Sequence, residues 1–100
     1  MQKISEIQIV PVKANNGLIA FCSFVLYEAI YCSSIAIFTR PEGSIRLVYP
    51  TKKTGIKDLN IFHPIDKQTG KFIEKEVSKK LKDVMKHDRY NSNHLAGEGL

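Results

Sequence analysis

Two long apolar runs, Leu18 to Tyr27 and Ile30 to Thr39, are separated only by the pair Glu28-Ala29. So short a break between strand-like runs leaves room for a tight hairpin and nothing else. Turn signals stand at both outer ends. Asn15-Asn16-Gly17 precedes the first run, with residue types that accept positive φ, and Arg40-Pro41-Glu42-Gly43 follows the second. Ile4 to Val12, with Ile7 and Ile9 on one face and Gln8 opposite, reads as a strand before this pair. Ser44 to Tyr49 reads as a strand after it, and Leu59 to Phe62 as a short fifth. The expected sheet is an antiparallel meander of four to five strands. Neither long run alternates cleanly, so both sheet faces are expected to be covered, by a helix on one side or a partner on the other.

The period then changes. From Lys71 to about Asp88 the apolar residues Phe72, Ile73, Val77, Leu81, Val84 and Met85 are spaced by threes and fours, which is one stripe of an α-helix. Thr69 or Asp66 is placed to cap its start. Lys71, Lys75, Lys79, Lys82 and Lys86 fall within an arc of roughly 80° opposite that stripe. With 100 residues there is room for one domain, so residues 1–88 are expected to form a single α+β unit. Residues 89–100, rich in Asn, Ser and Gly, are expected to be a flexible C-terminal tail. A sheet with such apolar middle strands and a lone helix suggests a dimer joined through the sheets.

Several function classes find no support in the sequence. His63, His87 and His94 are far apart and share no ligand spacing with the cysteines or carboxylates, so no metal site is expected. Glycine-rich phosphate loops and serine elbows are missing, and no catalytic residue or cofactor is expected. His63 before Pro64 reads as a turn-fixing imidazole bonded to backbone carbonyls. Glu74 and Glu76 are two residues apart on the helix and do not face each other. Cys22 and Cys32 lie in apolar runs and fall out of register across the Glu28-Ala29 turn, which favours buried reduced thiols over a disulfide. The start MQKISEIQ is too polar for a secretory leader, and no apolar run approaches the roughly 20 residues a membrane helix needs. A soluble, cytoplasmic protein without membrane insertion is the expectation.

Basic residues carry the positive indication. The formal net charge is +5 and the pI about 9.3, a balance that favours anionic partners. One basic group is Thr51-Lys52-Lys53-Thr54 with Lys57 just beyond, expected on a loop restrained by Pro50 and Pro64. Lysines supply mobile charges for phosphates and threonine hydroxyls add hydrogen bonds to the same oxygens. The second group is the helix stripe, of which Lys71, Lys75 and Lys79 are the candidate phosphate contacts. Tyr49, beside the loop, is a candidate base-stacking platform. Tyr27 and Tyr31, within strand-like runs, are expected to pack in the core or an interface.

The order of these segments is itself informative. A glycine turn at Gly43 leads into an apolar strand ending at Tyr49. Pro50, Thr51 and the pair Lys52-Lys53 come next, then Phe62-His63-Pro64-Ile65 and a helix. In this order, from about Ile4 to Val84, the chain resembles the bacterial stage V sporulation protein G family, the septation regulators. The resemblance implies a small α+β homodimer joined through its sheets, without a cofactor. It implies binding to DNA or RNA, and a role in septum formation, sporulation or virulence gene control. It maps the family's basic loop onto Thr51, Lys52, Lys53 and Thr54. Tyr49 and Thr51 stand where the family commonly has Met and Ser, and both basic positions are lysine where arginine is common. Lysine lacks the bidentate fork that reads guanine, which points to mostly electrostatic affinity.

The function expected from the sequence is therefore a small homodimeric nucleic-acid-binding regulator. The alternative is a non-enzymatic protein-interaction module acting in cell division or septum formation, its lysines serving solubility.

Overall fold

The computed structural model describes the backbone of residues 3–97 and the side chains of residues 3–85. Four strands, β1 (Ile4–Asn15), β2 (Leu18–Leu26), β3 (Ile30–Thr39) and β4 (Ile45–Val48), pair antiparallel in the order β1-β2-β3-β4. Two short strands, β5 (Thr51–Lys53) and β6 (Asp58–Asn60), form a separate hairpin, and α1 (Lys67–Gly97) follows. This is the α+β meander the sequence leads one to expect. The fifth strand, however, belongs not to the main sheet but to its own two-stranded ribbon. The helix starts at Lys67 rather than Lys71, and its backbone stays helical to Gly97, through most of the stretch expected as a tail. Residues 98–100 of that stretch lie outside the described residues.

Turn chemistry sets the meander. Asn16 and Gly17 take φ of +53° and +92° between β1 and β2, as an Asn-Gly hairpin requires. Gly43, at +102°, donates its N–H to the Arg40 carbonyl at 2.9 Å and closes the β3–β4 turn. The β2–β3 turn is less orthodox. Its central residues Tyr27 and Glu28 both lie in the left-handed region, at +51° and +56°, and the Ala29 N–H reaches the Leu26 carbonyl at 2.9 Å.

The core lies between one sheet face and the helix. Ala20, Cys22 and Phe24 of β2 alternate inward, and with Cys32, Ile35, Ile37, Ile45 and Leu47 they meet Ile73, Val77 and Leu81 of α1. Phe24 is fully buried, so truncating it to alanine costs about 3–5 kcal/mol. That is a large share of the roughly 5–15 kcal/mol that holds a domain together, and it suffices to unfold a marginal one. Cys32 and Ile35 are three residues apart yet both point inward. Ser33 and Ser34 together oppose Ser23, a bulge that resets the strand's phase, with Ser34 at φ +62°. The bulge thus accounts for the uneven alternation in β3.

Asp66 starts the helix. Its Oδ2 accepts the Thr69 N–H at 2.8 Å, and its carbonyl accepts the Gly70 N–H at 3.1 Å. Arg40 ties the β3–β4 turn to the helix: one guanidinium nitrogen donates to the Ile45 carbonyl at 2.8 Å and the other lies 3.8 Å from Glu74. Cys22 and Cys32 are buried free thiols, with Cys22 registered on Ile35 and Cys32 on Phe24. No described helix is long and apolar enough to cross a membrane.

Among the described residues, no helix covers the opposite sheet face. Val10 pairs with Phe21, Phe21 with Ala36 and Ala36 with Val48, so one apolar row crosses all four strands. Val10 is 63% exposed and Phe21 39%. Nearer the Asn16-Gly17 turn, the Arg46 guanidinium lies 5.1 Å from the centre of the Phe38 ring, partly roofing that end.

Candidate nucleic-acid interface

The segment expected as a restrained loop is instead a β-ribbon arm. Strand β5 begins directly after Pro50, whose carbonyl accepts the Ile61 N–H at 3.1 Å and closes the base of the arm. Thr51 then faces Asn60, Lys52 faces Leu59 and Lys53 faces Asp58. Thr54, Gly55, Ile56 and Lys57 make the tip. Gly55 sits at φ +88°, where a side chain would strain the backbone. Every residue from Thr51 to Ile61 is exposed, so the arm stands clear of the core.

Its side chains are placed differently from the sequence expectation in two respects. The Thr54 hydroxyl donates its one proton to the Lys57 carbonyl across the tip, so Thr54 shapes the turn and is not free to donate to a phosphate. Lys52 and Lys53 do not form one basic patch either. Successive strand residues point to opposite faces, so Lys52 shares a face with Leu59, and Lys53 shares the other with Thr51, Asp58 and Asn60. Lys52, Lys53 and Lys57 are exposed and form no ion pair with any described residue. Their ammonium groups are available to solvent anions on both sides of the ribbon.

On the helix, Lys71, Lys75 and Lys79 are exposed on the side away from Ile73 and Val77, as the wheel predicts. Lys79 is taken up by Glu76, 3.3 Å away one turn back, while Lys71 and Lys75 form no ion pair with a described residue. No hydrogen bond or ion pair among the described residues links these lysines to the arm. Lys86 lies outside the residues whose side chains are described.

The aromatic residues are placed as follows. The Tyr49 ring packs edge-on against Phe62, with centroids 6.1 Å apart, and its hydroxyl is buried with no hydrogen-bond partner among the described residues. Burial pushes its phenol well above the ordinary range. Tyr49 is a core residue and not a stacking platform. Tyr27 and Tyr31, expected in the core or an interface, are 50% and 69% exposed in the protomer and so lie outside its core. His63 behaves as a turn residue: its Nδ1 lies 2.9 Å from the Pro64 carbonyl, so the protonated nitrogen donates there.

An apolar cavity of about 240 Å3 lies between the sheet and the start of α1, lined by Leu26, Tyr31, Tyr49, Phe62, Pro64 and Ile73 among others. No carboxylate, lysine or arginine among the described residues lines it.

The tip residue Ile56 escaped the sequence reading. It is 98% exposed. The signal for it was present in Thr54-Gly55-Ile56-Lys57, where an apolar residue follows a turn glycine between lysines. No protein-family model matches this chain, and no curated protein matches it.

Proposed function

We propose that this chain is a homodimeric nucleic-acid-binding regulatory protein of the cytoplasm that grips phosphates with the β5–β6 arm. The observation that carries the reading is the arm itself. It stands clear of the core and bears three lysines without an ion-pair partner among the described residues, in a chain of net charge +5. An arm of this build adds nothing to the core, whereas lysines held on a hairpin lose little freedom on binding. Lys71 and Lys75 are the secondary contacts. The resemblance to septation and sporulation regulators supports the same reading and suggests a role in gene control or cell division.

The dimer is assigned to the sheet face opposite the helix, along the row Val10, Phe21, Ala36 and Val48. A second copy covering this row removes apolar area from water at roughly 25 cal/mol per Å2. Sedimentation is expected to show a dimer, and Phe21→Lys to give a folded monomer. A wild-type monomer of 11.3 kDa at micromolar concentration would refute the assignment.

Anisotropy titrations into labelled duplex DNA, single-stranded DNA and RNA test the main reading. Affinity should fall with salt at about 0.9 log units per log unit for each phosphate neutralised on duplex DNA. Lys52→Ala with Lys53→Ala should weaken binding without lowering the melting temperature. The same apolar row favours a second reading, a protein-interaction module of cell division. That reading gains the ground if the wild-type protein binds no nucleic acid even at low salt.

A further inference from the structure

Ile56 is the most exposed large apolar residue of the described chain, at 98%, and it sits at the tip of an arm whose residues are all exposed. An isolated apolar side chain on a surface is ordinary. This one is different in its setting. It is presented by a turn fixed through the Thr54 hydroxyl and the left-handed Gly55, and nothing lies within 4 Å of the position a Gly55 Cβ would take. Behind it stand Lys53 on one face of the ribbon, Lys52 on the other, and Lys57 beside it.

A ribbon laid flat on a polyanion needs its charges on one face. Here they are split, so each face taken alone is weakly basic, and Asp58 opposes the charge on the Lys53 face. Charges on both faces match a partner with a phosphate wall on each side, which is a groove entered tip first. The residue that then leads into the groove is Ile56. Apolar side chains delivered in this way enter between base steps, unstack them in part and kink the duplex. A membrane surface fits less well. It meets a protein from one side, and one isoleucine offers little apolar area to hold an interface.

Resting on the reading that the arm binds nucleic acid, we propose that Ile56 is an apolar wedge. It enters a groove of duplex DNA and bends it, while Lys52 and Lys53 hold the phosphates on either side. The arm is then a bending device as well as a grip, and it favours flexible pyrimidine–purine steps, which unstack most readily.

The test uses the full chain and a 30-base-pair duplex of about that length, labelled at both ends, with energy transfer reporting the bend and anisotropy the binding. The wild type is expected to bend the duplex by about 20° or more. Ile56→Ala is expected to bind within about tenfold of wild type and to lose most of the bend, and Ile56→Met to restore it. Lys52→Ala with Lys53→Ala is expected to lose binding and bend together. Ile56 is exposed, so thermal melts of its variants should match the wild type. Binding without bending, or an unchanged bend in Ile56→Ala, overturns the wedge and leaves the nucleic-acid reading standing. Binding to single strands alone does the same. No binding to any nucleic acid overturns both, as does Ile56-dependent binding only to vesicles of anionic lipid.

Discussion

Lys52 and Lys53, adjacent in sequence, stand on opposite faces of the β5–β6 ribbon, Lys52 across from Leu59 and Lys53 across from Asp58. A basic pair read as one unit is therefore two contacts with different neighbours. Asp58 shares a face with Lys53 and repels any phosphate that approaches there. Asp58→Asn is expected to tighten nucleic-acid binding by about two- to fivefold near 0.1 M salt, with less gain as salt screens the charge. Equal affinities for the two proteins at low salt would remove Asp58 from the interface.

Tyr49 holds a buried hydroxyl without a partner among the described residues, and that costs stability without buying an interaction. Tyr49→Phe is expected to raise the unfolding free energy by about 1 kcal/mol, because the ring and its edge-on contact with Phe62 stay in place. Denaturant unfolding with an unchanged m-value measures this. A loss of stability would mean that the hydroxyl is bonded in solution.

The β2–β3 turn places Tyr27 and Glu28 in a backbone region that suits Asn and Gly. Replacing the pair by Asn-Gly is expected to stabilise the fold by about 1–2 kcal/mol, visible as a higher melting temperature. If the double variant melts no higher, the exposed Tyr27 ring contributes packing that the turn geometry hides.

Asp66 titrates with the helix start. The Thr69 backbone N–H, bonded to its carboxylate, holds the Asp66 pKa below the ordinary value, so folding favours the charged form. Stability from this cap is complete above about pH 4, the unfolded carboxylate value, and is lost as pH falls through the lowered native pKa. Asp66→Asn keeps a capping oxygen without the titration. The acid limb of its stability curve should be shallower than that of the wild type, which melts measured from pH 2 to 6 would reveal.

The two cysteines are expected to be silent. Burial pushes the Cys22 thiol up to about 12 and raises that of Cys32 as well. Neither should react with a thiol reagent at pH 8 in the folded protein, and both should react in denaturant. Rapid labelling of the native protein would show that the sheet opens locally.

Much of this architecture is legible in residues alone. Asn16-Gly17 fixes the first hairpin, the Ile73, Val77 and Leu81 spacing fixes the buried helix face, and Asp66 marks its start. Three features are hidden for physical reasons. The bulge at Ser33-Ser34 breaks the period of β3, and a phase change of one residue looks the same in sequence as a strand buried on both faces. A strand as short as Thr51–Lys53 has no periodicity to detect, so the basic half of the arm reads as a loop, while Asp58–Asn60 overlaps the expected fifth strand. The fate of Tyr49 depends on Phe62 arriving beside it, a contact that local pattern does not encode. The lysines of the arm were found by composition, but their division between two faces needed the register.

The nearest-neighbour order β1-β2-β3-β4 has a consequence for how the chain comes to be folded. Every pairing in the sheet joins strands adjacent in sequence, so each hairpin closes over a short loop, and the sheet can assemble stepwise as it leaves the ribosome. Its inner face has no cover until Lys67 to Leu81 have been synthesised, because only then do Ile73, Val77 and Leu81 exist to meet Phe24 and Ile35. During that interval the nascent sheet is bare on both sides. The window is one in which a newly made chain is most open to capture by chaperones or by other unfinished copies of itself.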